Sequence, residues 1–119
     1  MGQSYRDLVV WDKAMELVME IYRLTQTFPK EESFGLMTQL RRSAVSIPSN
    51  IAEGQGRLSR GEFRVFLGNA RGSLSELETQ ILIARKLDYL KESEANGLME
   101  RAAEVGRTLN GLIGSMKKP

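Results

Sequence analysis

Apolar residues return along this chain in an alternation of four- and three-residue steps. The first series runs Val10, Ala14, Leu17, Ile21, Leu24, Phe28, a later one Phe63, Leu67, Ala70, Leu74, Leu77, Ile81, Ala84, and the last Leu98, Ala102, Val105, Leu109, Leu112, Met116. A mean spacing of 3.5 keeps one seam on one side of an α-helix, so each segment wants a helical partner along its whole length. A less regular series, Leu36, Leu40, Ala44, Ile47 and Ile51, lies between the first two. The pattern predicts helices over about 8–28, 34–54, 60–88 and 93–116. Short links make consecutive helices antiparallel neighbours, so the expected fold is all-α, an antiparallel up-down four-helix bundle forming one domain over 1–119.

The polar residues between the seams supply end signals. Phe28-Pro29 stops the first helix, because the residue before proline is pushed out of the α region, and Ser33 offers a cap for the second. Gly54-Gln55-Gly56 ends the second, Ser59 with Glu62 fits a capping box opening the third, and Ser93 can cap the fourth. Pro48 breaks the rules of its own segment, since an interior proline removes a backbone bond and costs about 3 kcal/mol. Ser46, Ser49 and Asn50 surround it with short polar side chains able to bond freed backbone groups. The expected outcome is a packing kink that bends the second helix at Pro48, with a polar pocket at the kink or a full helix break as the alternatives. Glycines also recur inside helical segments, and the spacing of Gly68 with Gly72 and of Gly111 with Gly114 predicts close helix contacts.

A second apolar line, Trp11, Met15, Val18 and Tyr22, accompanies the first seam, and Val65, Phe66, Leu82 and Ile83 accompany the third. A monomeric bundle needs one stripe per helix. The extra lines are either a subunit interface or a wide core-facing surface.

Composition narrows the chemistry. With 41% hydrophobic and 27% charged residues, the 119-residue chain is expected to fold around one core rather than stay disordered. It has no cysteine and no histidine, which removes thiol nucleophiles, disulfides, imidazole bases and thiolate or imidazole metal sites. No metal or other cofactor is expected. Carboxylate pairs such as Glu76 with Glu78 and Glu100 with Glu104 read as solvated helix faces with ion-pair partners. No apolar run is long enough to span a bilayer, and the N-terminus lacks a signal-peptide core. Arg6 stands where a myristoylation signal wants Ser or Thr. The expected location is the cytoplasm. Fraying is expected only over the first several residues and Lys117-Lys118-Pro119.

The net charge of +2 is unevenly spread: residues 34–72 carry six arginines against Glu53 and Glu62, whereas residues 1–33 are net negative. Arg41, Arg42, Arg57, Arg60 and Arg64 are the candidates for nucleic-acid contact, because a guanidinium pairs with phosphate bidentately and keeps its charge. No aromatic platform interleaves these arginines. Arg71 is assigned a structural role, seven residues from Glu78 on one helix face and able to pair with Glu53 across the bundle.

These residues together resemble the 23S rRNA intervening-sequence protein family of four-helix bundle proteins. The resemblance is carried by Gln39-Leu40-Arg41-Arg42-Ser43-Ala44-Val45-Ser46-Ile47-Pro48-Ser49-Asn50-Ile51-Ala52-Glu53-Gly54 with Gly56-Arg57. Leu8-Val9-Val10-Trp11, Glu62-Phe63, Phe66-Leu67, Ala70-Arg71-Gly72-Ser73-Leu74 and Glu76-Leu77-Glu78-Thr79 support it. It marks Ser46, Pro48, Asn50, Glu53, Gly54, Arg71 and Glu78 as a structural motif. The resemblance implies a homopentamer, with the line Trp11, Met15, Val18 and Tyr22 at its interface, and implies no catalytic residues. The family also looks similar to the accessory protein of diversity-generating retroelements, which works with a reverse transcriptase and nucleic acid.

Two functions follow as expectations for a non-enzymatic oligomer. One is binding of RNA or DNA through the basic surface around the second helix and the turn after it, at the phosphate backbone. The other is a scaffold that docks a protein partner, such as a reverse transcriptase-like enzyme, on surplus apolar surface.

Overall fold

The computed structural model describes residues 4–116, and the fraying expected for the extreme termini falls largely outside that range. Four helices account for most of it: α1 (Val9–Thr25), α2 (Leu36–Gln55), α3 (Arg60–Lys86) and α4 (Glu92–Ser115), with single 3-10 turns at Tyr5–Asp7 and Lys30–Glu32. Among the described residues there is no strand.

The helices form a closed ring of antiparallel neighbours. Along α2 from Ser43 to Gly54, the partners on α3 run backwards from Gln80 to Phe63. Arg71 and Arg60 of α3 meet Asn110 and Ser115 of α4 in the same reversed order. Ion pairs from Lys13 to Glu104 (2.9 Å) and from Arg101 to Glu16 (3.6 Å) close the ring between α1 and α4. The diagonal pairs stay apart, and α2 with α3 is the closest pairing. An up-down bundle results, 47 Å along its long axis, about the length that the 27 residues of α3 require at 1.5 Å each.

The periodic positions fill the centre. Every residue from Val10 to Phe28 in the first series is buried, as are Leu40, Ala44, Ile47 and Ile51 of α2 and the series from Leu67 to Ala84 of α3. Each large aliphatic side chain taken fully from water contributes about 1.5–3 kcal/mol, and this drives the ring together. On α4 the seam drifts by one residue at its end: Ile113 is buried and Leu112 half-buried. A helix of 3.6 residues per turn slips past a strict 3.5 repeat in this way.

Helix ends differ from expectation where a carboxylate displaces a hydroxyl. α1 stops at Thr25, not Phe28, and the chain leaves it through a turn in which the Phe28 amide donates to the Thr25 carbonyl at 3.1 Å. Phe28 nevertheless stays in the core, against Tyr89 with ring centres 5.3 Å apart. Ser33 does not cap α2. Gly35 occupies that place, Glu32 Oε1 accepts the Leu36 amide at 2.8 Å, and the carbonyl of Ser33 takes the Thr38 hydroxyl instead. Ser93 does not cap α4 either: the helix opens at Lys91, whose amide donates to Glu94 Oε1 at 2.8 Å. Ser59 does cap α3, its hydroxyl accepting from the Glu62 amide at 3.1 Å. That helix ends at Lys86 in a Schellman turn. Tyr89 N–H reaches Ala84 O, Asp88 N–H reaches Arg85 O, and Asp88 takes the left-handed φ of 61°.

α2 runs unbroken through the buried Pro48, which rules out a full break. Around it Asn50 Nδ2 donates to the carbonyl and hydroxyl of Ser46 (2.8 and 3.0 Å), and Ser46 Oγ meets Ser73 Oγ of α3 at 2.8 Å. One turn earlier, the buried Ser43 hydroxyl and Gln80 Oε1 lie 2.6 Å apart. These short polar groups let α2 and α3 come close while remaining hydrogen-bonded. The expected close contacts at Gly68, Gly72, Gly111 and Gly114 are not made: a Cβ at any of them meets nothing within 4 Å. The glycine the packing does require is Gly54.

Candidate nucleic-acid interface

The fold divides the five candidate arginines into two groups. Arg41 and Arg42 lie in the second turn of α2, whereas Arg57 and Arg60 flank the α2–α3 turn and Arg64 follows one turn into α3. Fifteen residues of mostly helical chain, at about 1.5 Å each, set roughly 20 Å between Arg42 and Arg57. They are two positive regions, not one cluster.

Each arginine has its own setting. Arg41 is half-buried between α2 and α1: Nε donates to Thr25 Oγ1 at 2.9 Å, Nη2 to the Tyr22 carbonyl at 3.4 Å, and its guanidinium carbon sits 4.5 Å above the Tyr22 ring centre. Thr25 is 1% exposed and donates its own proton to the Ile21 carbonyl at 2.7 Å, so the orientation of Arg41 is set by a buried hydroxyl. Arg57 pairs with Glu53 (2.8 Å) and covers the Phe66 ring at 4.6 Å. Arg60 donates to the Ser115 carbonyl at 3.2 Å, a cation at the negative end of α4. Arg42 and Arg64 are exposed, and among the described residues neither pairs with a carboxylate.

Aromatic rings therefore do accompany the arginines, contrary to the linear reading. Tyr22 and Phe66 come from α1 and α3, and Thr25 lies sixteen positions before Arg41. No local sequence signal marks either contact, since each forms only when two helices pack. The structural assignment of Arg71 also changes. Its Nη1 donates to Asn110 Oδ1 of α4 at 3.1 Å, while the carboxylate of Glu53 is taken by Arg57, four residues away on its own side of the bundle. Glu78 is half-buried on α3 and forms no ion pair with Arg71.

The second stripe of α1 turns toward α2. Val18 is buried, Trp11 and Met15 are half-buried, and Tyr22 is 38% exposed. Trp11, Met15 and Val18 line a hollow of about 300 Å³ with Val45, Pro48 and Ala52, from which Tyr22 is absent, and Tyr5 meets Trp11 edge-on with centres 5.3 Å apart. The hollow that Pro48 itself lines is thus largely apolar, while a polar one of about 380 Å³ lies beside Ser46, lined also by Gln39, Arg42, Ser43 and Glu76. On α3, Val65, Leu82 and Ile83 stay 62, 44 and 42% exposed. A third hollow, about 460 Å³, lies where α1 ends and α2 begins, with Tyr22, Met37, Arg41, Arg42 and Val45 in its wall.

The carboxylates behave as surface groups. Hydrogen bonding to Lys13 holds Glu104 below its ordinary pKa, and hydrogen bonding to Arg23 does the same for Glu20. Among the described residues no group of three acidic side chains converges to hold a metal, and no helix is long and apolar enough to cross a membrane.

Comparison with known proteins agrees with this architecture. No curated protein matches the chain. A solved structure from Bacteroides thetaiotaomicron, described as a protein of unknown function from the S23 ribosomal protein family, superposes with a TM-score of 0.82 at 25% identity, covering 88% of this chain and 98% of that one. The family profile described as 23S rRNA-intervening sequence protein matches residues 6–111, nearly the whole bundle, and the chain therefore belongs to the 23S rRNA-intervening sequence protein family.

Proposed function

We propose that this chain is a non-catalytic homo-oligomeric bundle that holds RNA or DNA by its phosphate backbone. The observation that carries the reading is the uncompensated charge of three arginines. Arg42 and Arg64 form no ion pair among the described residues, although Arg42 shares a hollow with Glu76, and Arg41 is bonded only to neutral oxygens. A guanidinium without a carboxylate partner keeps its full attraction for phosphate. Arg57 and Arg60 have partners within the chain and contribute secondarily. Assembly into a homopentamer would repeat each weak contact around a ring and raise avidity without new chemistry. Trp11 and Met15, with the exposed apolar residues of α3, are the surface proposed for that assembly, which leaves Tyr22, beneath Arg41, outside it.

The second reading is a scaffold that docks a protein partner, a polymerase-like enzyme being one class, and the exposure of Val65, Leu82 and Ile83 favours it. Salt separates the two, because phosphate contacts weaken steeply with added salt and apolar docking does not. The experiment is titration of structured RNA and duplex DNA across a salt series. Arg42→Ala with Arg64→Ala is compared with Arg57→Ala with Arg60→Ala. Binding that fades with salt and is lost mainly in the first pair supports the proposal. No binding at low salt by a correctly assembled protein overturns it in favour of the scaffold.

A further inference from the structure

The hollow between the end of α1 and the start of α2 has the features of a site for one unpaired base. Its volume of about 460 Å³ falls in the range that holds a single small ligand. Its floor is the Arg41 guanidinium lying 4.5 Å over the Tyr22 ring, and Met37 and Val45 supply apolar wall. No carboxylate lines it. Arg41 is held there by Thr25 Oγ1 and the Tyr22 carbonyl, both neutral, so the stack is fixed in advance and still carries its charge. Arg42, the next residue along α2, stands at the rim with its guanidinium unpaired.

We infer that this hollow takes one unstacked nucleotide of a single strand, the base against the Arg41–Tyr22 stack and its phosphate on Arg42. The inference rests on the nucleic-acid reading and sharpens it. A planar guanidinium over an aromatic ring is a surface on which any base can stack, and a positive rim beside it tracks the backbone. A duplex keeps its bases paired and stacked inside, so it offers this hollow nothing but phosphate. The site therefore discriminates by strand state and not by sequence.

The test uses the full chain and two end-labelled probes, a single-stranded oligouridine of about twelve nucleotides and an RNA duplex of similar length, at low salt. The wild type is expected to bind the single strand about tenfold more tightly than the duplex, the effect of one stacked base. Arg41→Lys keeps the charge but loses the planar stack and the fixed hydrogen bonds, and is expected to bring the two affinities together by weakening the single strand alone. A photoactivated thiouridine in the oligonucleotide should crosslink to the segment containing residues 22–45. Equal affinity for both probes, still dependent on Arg42, leaves backbone binding in place and overturns this inference. Absence of binding to either probe overturns both readings. An Arg41→Lys protein that keeps its single-strand preference, with unchanged helicity and mass, also overturns the stack.

Discussion

A Cβ placed on Gly54 of α2 would lie 2.7 Å from the Cβ of Phe66 and 2.9 Å from Cδ1 of Phe63, both on α3. The glycine is what allows the two helices to meet at that level. Two effects of Gly54→Ala oppose each other. Alanine favours a helix by about 1 kcal/mol over glycine, whereas overpacking a filled contact costs typically 1–3 kcal/mol. Here the obstructing atoms are a Cβ and a ring, neither of them the free end of a flexible chain. The clash should win, with Gly54→Ala losing about 1–2 kcal/mol in urea unfolding while keeping its helical circular dichroism.

Gly68 and Gly72 provide the opposite case. A Cβ at either meets nothing within 4 Å, so the chain's own packing gives no reason for them. Gly68→Ala and Gly72→Ala should each stabilise the folded chain by about 0.5–1 kcal/mol through reduced backbone freedom of the unfolded state. Thermal unfolding of the two variants checks this, and a loss of stability in either would contradict the open surroundings seen around them.

The contrast between these glycines shows what could be read in the linear chain. The repeat of apolar positions identified the four helices and almost every core residue, because burial imposes its period directly on the sequence. The Ser59 cap was also legible, since that signal acts within a few residues, whereas the first helix ended three residues before the predicted Phe28. What was not legible was either a choice between competing local caps or a contact across the bundle. Glu32 and Glu94 displaced Ser33 and Ser93 at helix starts, and Asn110 displaced Glu53 as the partner of Arg71. The Tyr22 and Thr25 contacts of Arg41 join two helices and have no local pattern to announce them. Spacing alone also could not say which glycines face a neighbour and which face open space.

Asp88 closes α3 with a φ of 61°, a left-handed conformation that glycine adopts without steric cost. The turn keeps both of its hydrogen bonds, Tyr89 N–H to Ala84 O and Asp88 N–H to Arg85 O, so its geometry suits a glycine without rearrangement. Asp88 is exposed and forms no ion pair among the described residues. Asp88→Gly should therefore stabilise the protein by about 1 kcal/mol, and Asp88→Val, β-branched at the same φ, should destabilise it by at least as much. Denaturant midpoints of the two variants should move in opposite directions from the parent.

The connections at one end of the bundle are joined by Tyr89, whose hydroxyl donates to Glu32 Oε2 at 3.0 Å, while the other oxygen of the same carboxylate caps α2 at Leu36. That hydrogen bond, with some desolvation and the charge of Glu32, raises the pKa of Tyr89 above its ordinary 10.0. The folded state thus binds the phenolic proton more tightly than the unfolded state does. The stabilisation is fully present below pH 10.0 and is lost as pH rises through the higher folded value. Tyr89→Phe removes both the hydrogen bond and the titrating group, yet retains the ring contact with Phe28. Its stability at neutral pH should be lower than the parent's, and the gap should narrow as pH is raised above 10.0. Unfolding measured in urea at pH 8 and at about pH 11 decides the matter. A gap that stays constant across that interval would show that Glu32 does not hold the Tyr89 proton.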